Sequence, residues 1–400
     1  MQTNLAKKIK QTGHAEAIES ILRKCVHCGF CNATCPTYQL LGDELDGPRG
    51  RIYQMKQYFE GEPANPEMLR HLDRCLTCRA CETTCPSGVN YSHLLEIGRE
   101  SIERELPRPW WDRAQRWAIV RFINSGWLFA MSVRSGQLLA PLLPGKLGQS
   151  IPLRQTPIPR ALATHERKML MLAGCVQPTL APNTNNHAVN LLDKLGVEVI
   201  EAGAGLCCGA AAMHTSNSQY GMAQIRRLID SWWPHIEAGA EAIVVTATGC
   251  GTSVRDFGRL LEQDPEYAQK AAKVSSLYRD LLEVVEDEAD RIESPAPRYR
   301  RVAVHTPCSM QHGLGINGRV ERLLARAGYE ICRVEDAHLC CGSAGTYSML
   351  QPALAARLHD NKIAALSVEQ PDVIVTANIG CQLHLAQGSQ VPVLHWIELL

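Results

Sequence analysis

Two runs of cysteine carry the most specific chemistry in this 400-residue chain. Cys25, Cys28, Cys31 and Cys35, closed by Pro36, are spaced C-x2-C-x2-C-x3-C-P, and Cys75, Cys78, Cys81 and Cys85, closed by Pro86, repeat that spacing fifty residues on. Such runs predict a pair of cubane [4Fe–4S] clusters. The first three cysteines of a run are expected one helical turn apart around one cube, with the fourth reaching across to the other. Cys25, Cys28, Cys31 and Cys85 then serve cluster 1, and Cys75, Cys78, Cys81 and Cys35 serve cluster 2. Structural zinc fits less well, because it takes four ligands from two C-x-x-C pairs rather than eight cysteines with trailing prolines.

A second set of cysteines recurs in the carboxyl-terminal half. Cys175, Cys207, Cys208 and Cys250 are matched by Cys308, Cys340, Cys341 and Cys381, the first three pairs at a constant offset of 133 positions and the last at two fewer. In each copy two cysteines end a predicted strand and two stand side by side before a glycine, Gly209 or Gly342. Thiols at the carboxyl ends of neighbouring parallel strands converge on one crevice. One or two further iron–sulfur clusters are therefore expected, with a redox disulfide or an inherited remnant as the competing readings. Cys332 falls outside both patterns and reads as a small buried apolar residue.

The elements that must hold these groups follow from periodicity. Residues 16–100 carry helix-like spacing between the runs (Ile52, Met55, Phe59; Leu94, Ile97, Ile102), which predicts an α-helical di-cluster ferredoxin domain. The insert GDELDGPRGRI (42–52) reads as a turn opening a helix, and its Arg49 and Arg51 either bias a cluster potential or are solvated helix-start residues. Residues 101–165 read as a basic helical connector and linker: 113–165 contain no Asp or Glu but hold Arg113, Arg116, Arg121, Arg134, Lys146, Arg154 and Arg160, with Trp111, Trp117 and Trp127 close by. Such a stretch packs between domains, docks on a partner, or lies on an anionic membrane surface. Residues 166–290 and 298–400 are duplicated strand–helix units, each containing LCCG. The fold class is thus multidomain α/β: a helical di-cluster domain followed by two duplicated α/β units with parallel sheets.

Other signals are weaker. GLGING (313–318) matches a dinucleotide fingerprint, but the strand ends too early, and the first copy lacks the glycines while keeping the cysteines. His305 and His338, beside cysteines of the second copy, could protonate a reduced quinone or a sulfur species, or be hydrogen-bonded structural residues. No nucleophile–base pair, Walker loop or HExxH run is present. Lysine plus arginine equals aspartate plus glutamate at 41 each, so no global field favours nucleic acid. MQTNLAKKIKQ lacks an apolar h-region and no run is long enough to span a bilayer, which predicts a protein of the cytoplasmic side, or one peripheral on the cytoplasmic face of the inner membrane.

Taken together, the segments CVHCGFCNATCPTYQLLGDELDGPRGRIY (25–53), HLDRCLTCRACETTCPSGV (71–89), HLCCGSAGTYS (338–348) and IVTANIGCQLHL (374–385) resemble a known family. It comprises iron–sulfur subunits such as those of glycolate oxidase and anaerobic glycerol-3-phosphate dehydrogenase. A lactate-utilisation protein and the CCG subunits of heterodisulfide reductase share its cysteine-rich part. The resemblance spans essentially the whole chain. It implies an electron-transfer subunit with no catalytic residue of its own. FAD is expected on a flavin-binding partner subunit, beside a second flavoprotein-like subunit, in a complex that oxidises glycolate or D-lactate and passes electrons to a quinone-type acceptor. The alternatives are the glycerol-3-phosphate dehydrogenase subunit and a heterodisulfide-reductase-like catalytic subunit. The endings TATGC (246–250) and TANIGC (376–381) lack the closing C-x-x-C of heterodisulfide reductase, so its non-cubane clusters are not expected to carry over.

Overall fold

The structure, a computed structural model, describes residues 1–142, 151–292 and 296–400; Lys146 lies outside them. The amino-terminal part is helical: α1 (Ala15–Lys24), α2 (Pro48–Glu60), α3 (Pro66–Asp73) and α4 (Tyr91–Glu105). Pro48 and Pro66 open their helices in the first turn, where a missing N–H costs nothing. Asn65 and Asn90 cap α3 and α4 by accepting from the N–H groups of Met68 and His93. Leu22, Met55, Phe59, Leu72, Leu94 and Leu95 fill the core between these helices.

The cysteine runs occupy the loops between α1 and α2 and between α3 and α4. They are less helical than their spacing suggests. Residues 25–29 are irregular, with His27 at φ 61°, and only Cys31 sits in a helical turn, Phe30–Ala33. In the second run Thr77 (φ 55°) and Arg79 (φ 62°) do the same before the turn Ala80–Thr83. Left-handed residues reverse the chain locally, so successive sulfurs face one centre instead of fanning along a helix.

Helices α5 (Trp110–Ile123) and α6 (Trp127–Leu139) form the connector. Arg108 reaches Asp73 (2.7 Å) and Glu103 (2.6 Å), and Arg116 reaches Asp112 (2.8 Å) and Asp73 (3.2 Å). Arg116 is therefore buried and paired, tying α5 to α3. Val120 and Phe129 face inward, whereas Trp110, Trp111, Trp117 and Trp127 are exposed. Among the described residues, no helix is long and apolar enough to cross a membrane.

Two four-stranded parallel sheets follow: β1 (Arg167–Leu172), β2 (Val197–Ile200), β3 (Ala242–Val245) and β4 (Tyr278–Asp280), then β5 (Arg301–His305), β6 (Glu330–Cys332), β7 (Val373–Thr376) and β8 (Val393–His395). Their orders, β2-β1-β3-β4 and β6-β5-β7-β8, are the same. Period-two alternation decides the layers. Met169 and Met171 of β1 pack with Ala188 and Leu192 of α7 (Pro182–Lys194), while Leu170 and Leu172 pack with Ile225, Leu228 and Trp232 of α8 (Ser218–Glu237). The first layer is continuous between units, since Val244, Val302, Val375 and Trp396 belong to one core. Helix α7 starts at Pro182, where proline's fixed φ suits a first helical turn. Cys332 is buried on β6 as a small apolar residue. GLGING is an interface: a Cβ on Gly313 would lie 2.4 Å from Thr252 of the first unit.

Candidate metal centres

In both sheets the strand order reverses beside the first strand, so the crevice between β1 and β3, or β5 and β7, opens at their carboxyl ends. Cys175 follows β1, and Cys250 lies in α9 (Thr248–Arg255), which follows β3. Cys308 follows β5, and Cys381 lies in α10 (Ile379–Ala386), which follows β7. The adjacent pairs arrive from the loops after β2 and β6. Gly209 (φ 80°) and Gly342 (φ 90°) make that arrival possible: a Cβ on Gly342 would stand 2.7 Å from the Ala355 carbonyl, and one on Gly209 2.9 Å from the Gly221 carbonyl.

Four thiol sets result. Cys25, Cys28, Cys31 and Cys85 line one cavity with Ile52, Val89 and Tyr91. Cys35, Cys75 and Cys78 line a second, and Cys81 borders both. The fourth cysteine of each run thus lies with the other run's first three. In the carboxyl-terminal half, Cys308 Sγ is 3.9 Å from Cys340 Sγ, while Cys341, Cys381 and His305 place ligand atoms within 4.8 Å of one another. Cys175, Cys207, Cys208 and Cys250 of the first unit line one chamber wall together.

The donor chemistry fits iron–sulfur clusters. Burial pushes the Cys31 thiol up to about 11 and raises Cys78 and Cys81 well above the usual thiol range. The neighbouring thiols of Cys175 and Cys208, together with burial, raise Cys207 well above the usual thiol range. Crowded, buried thiols keep their protons unless a cation compensates the thiolate, and bound iron would supply that charge. The surroundings also donate to sulfur: the Thr77 N–H to Cys75 at 3.4 Å, the Tyr91 hydroxyl to Cys75 at 3.7 Å, and the Gly342 N–H to Cys340 at 3.5 Å.

The sets are ordered from surface to interior. Cys28 is exposed. Cys78 shares an apolar cluster with Cys308, Cys340, Leu76 and Tyr347. Beyond it opens a chamber of about 490 Å³, bounded by Cys78, cysteines of both duplicated units, and Phe122 and Phe129 of the connector. The sequence did not disclose its polar wall: Arg79, Arg99, Arg259, Glu96, Asp256 and His214. Arg79 pairs with Asp256 at 2.8 Å and Arg259 with Glu96 at 3.1 Å, docking the helical domain on the first unit. Only the abutment of Arg79 on Cys78 could have hinted at this. Burial holds His214 below its usual range. His338 contributes its carbonyl to His312 Nε2 at 3.0 Å, and burial drives His305 down to about 3, so its ring is neutral. Arg49 pairs with Glu44 at 2.6 Å, whereas Arg51 is buried beside Cys35.

Comparison with known proteins matches this layout. Residues 21–89 match the 4Fe-4S dicluster domain, and residues 169–255 and 302–386 each match the cysteine-rich domain CCG. The chain is 49% identical to the glycolate oxidase iron-sulfur subunit of Escherichia coli, over all of this chain and 98% of that protein. It is 29% identical to a probable glycolate oxidase iron-sulfur subunit of Bacillus subtilis, over 96% of this chain and 94% of that one. It is 24% identical to lactate utilization protein A of Bacillus subtilis, over 58% of this chain and 98% of that one. With its dicluster domain and paired CCG domains matched along their full order, the chain belongs to the family of the glycolate oxidase iron–sulfur subunits.

Proposed function

We propose that this chain is the electron-transfer subunit of a flavin-dependent 2-hydroxy-acid oxidase complex acting on glycolate or D-lactate. The observation that carries this is the line of thiol sets running from exposed Cys28 through Cys78 to the two cysteine-rich crevices. Cys25, Cys28, Cys31 and Cys85 would hold cluster 1, and Cys75, Cys78, Cys81 and Cys35 cluster 2, with further clusters on the CCG cysteines. Bound clusters would supply one-electron carriers that take a flavin's electron pair in single steps. The chain's own residues then hold and insulate the carriers. Tyr91 and the Thr77 N–H donate to Cys75, Arg51 faces Cys35, and Leu76 and Tyr347 exclude water between Cys78 and Cys340.

FAD belongs in this reading to a flavin-binding partner subunit, with a second flavoprotein-like subunit beside it, and the acceptor is a quinone. The exposed tryptophans of α5 and α6, with Arg113, Arg121 and Arg134 and no acidic residue from 113 to 165, favour contact with the cytoplasmic face of an anionic membrane. A complex carrying Cys78→Ser, shown to lack its cluster, should still bleach the partner's flavin on adding glycolate yet lose quinone reduction. Quinone reduction at the wild-type rate would refute the assignment. Replacing Trp110, Trp111 and Trp127 with Ser should abolish recovery with phosphatidylglycerol vesicles at low salt; unchanged recovery would refute the membrane contact.

A further inference from the structure

We propose that His305, through Nε2, is an iron ligand of the second cysteine-rich unit, and that the first unit has no counterpart, so the duplicated sites hold inequivalent clusters. This rests on the reading that Cys308, Cys340, Cys341 and Cys381 hold an iron–sulfur cluster. His305 ends β5 and is 2% exposed. It offers a ring nitrogen within 4.8 Å of Cys341 Sγ and Cys381 Sγ, which lie equally close to each other. The Thr376 hydroxyl engages Nδ1 at 3.0 Å, and Nε2 is buried without a hydrogen-bond partner. One ring nitrogen fixed by an oxygen while the other stays free is the usual preparation of a ligating histidine. Donor atoms this close together can serve neighbouring irons of one cluster, so all three would fit a single cluster site.

The duplication supplies an internal control. At the offset that relates Cys308 to Cys175, His305 corresponds to Leu172, which is 2% exposed and packed in the first unit's core. The fold therefore accepts leucine at the end of this strand. A buried imidazole with an unpaired nitrogen is costlier than leucine unless that nitrogen finds a partner. A second exchange points the same way. Lys362 is 3% exposed, its ammonium donates to the Asp336 carbonyl at 2.8 Å, and at the same offset the first unit has Ile229. A buried cation suits a site whose thiolates are ionised. The second unit thus carries an extra nitrogen donor and an extra positive charge, and the first carries neither at those positions.

The test uses the full-length chain purified anaerobically with its clusters, with and without [15N]histidine. Iron is counted, and the reduced protein is examined by pulsed EPR. The expected result is a strongly coupled nitrogen that changes with the isotope and disappears in His305→Leu. His305→Cys should keep the iron content of the wild type while losing the nitrogen signal. An iron-replete wild type without a strongly coupled histidine nitrogen, or a signal that survives His305→Leu, overturns the proposal. Iron content unchanged in a Cys340→Ser/Cys341→Ser variant would instead overturn the cluster reading beneath it.

Discussion

Removing the positive charge of Arg51 should lower the potential of cluster 2 and leave cluster 1 almost unmoved. Arg51 is 1% exposed, its Nη1 lies 4.0 Å from Cys35 Sγ, and it also meets the Thr37 hydroxyl, the His71 carbonyl and Asp46. Asp46 is shared with Arg74 (2.8 Å) and His71 (2.9 Å), so the group behind Cys35 carries two guanidinium charges against one carboxylate. A unit charge 4 Å away contributes about 4 kcal/mol at an effective dielectric of about 20. For one electron that is about 170 mV, at 59 mV per tenfold. Spreading the electron over a cube roughly doubles the mean distance, which brings the expected drop to about 80 mV. Arg51→Met should show this fall in an EPR-monitored redox titration, and Arg51→Lys should recover most of it. Asp46 keeps Arg74 and His71, so the substitution does not strand a buried carboxylate. A folded, iron-replete Arg51→Met protein whose two potentials both stay within about 20 mV of wild type would refute the charge argument.

Gly342→Ala should destabilise the protein by about 2–4 kcal/mol, from a left-handed φ of 90° and a Cβ pressed on the Ala355 carbonyl, and a denaturant titration of the iron-loaded chain measures it. A loss below about 0.5 kcal/mol would count against the close approach. Asp280, buried at the joint core, has its carboxyl raised to about 7 by burial, against 3.8 unfolded. Its contribution to stability is fully present below pH 3.8 and is lost as pH rises through about 7, by at most about 4 kcal/mol. Asp280→Asn, which keeps the cap on the Leu282 N–H, should flatten stability across that window; an unchanged pH slope would exclude Asp280 as its source.

Much of this architecture was legible because its constraints are local. Repeated cysteine spacing and apolar strand runs do not depend on distant parts of the chain, and they located the di-cluster segment and six of the eight strands, whereas the three-residue β4 and β8 were not read as strands. What escaped was set by tertiary contact. Of the readings open for Arg116, packing between domains, docking on a partner or membrane contact, its pairing with Asp73, forty-three residues away, and with Asp112 supports the first, and the sequence did not show those partners. GLGING was already a poor dinucleotide match by its position after the strand, but the sequence could not show why it is glycine-rich: Thr252 of the other unit leans on Gly313. The irregular path at Cys25–Gly29 and Thr77–Arg79 departs from helical spacing because the backbone must turn its sulfurs to one centre, and no residue type announces left-handed His27 or Thr77. His305 was visible as a residue near cysteines, but its free nitrogen depends on Thr376, which only strand pairing brings alongside.

The way the two units meet explains why a duplication was useful here. A single doubly wound sheet places its cysteines in one crevice, open to solvent at the strand ends. In this chain the strand ends of the two sheets are tied together: the Thr248 N–H donates to the Ala377 carbonyl at 3.0 Å, the Gly249 N–H to Asn378 Oδ1 at 3.2 Å, and the hydroxyls of Thr248 and Ser309 lie 2.7 Å apart. His395 Nε2 reaches the Thr246 carbonyl at 2.9 Å across the same joint. Both crevices therefore face the same chamber, and the loop carrying Cys78 covers it from the helical domain. Each copy supplies a wall the other needs. That shared chamber also frees the copies to diverge, since the backbone bonds of the joint hold the geometry whichever residue ends the first strand. Leu172 and His305 occupy equivalent ends of equivalent strands, one completing an apolar core and the other presenting a nitrogen to two thiols.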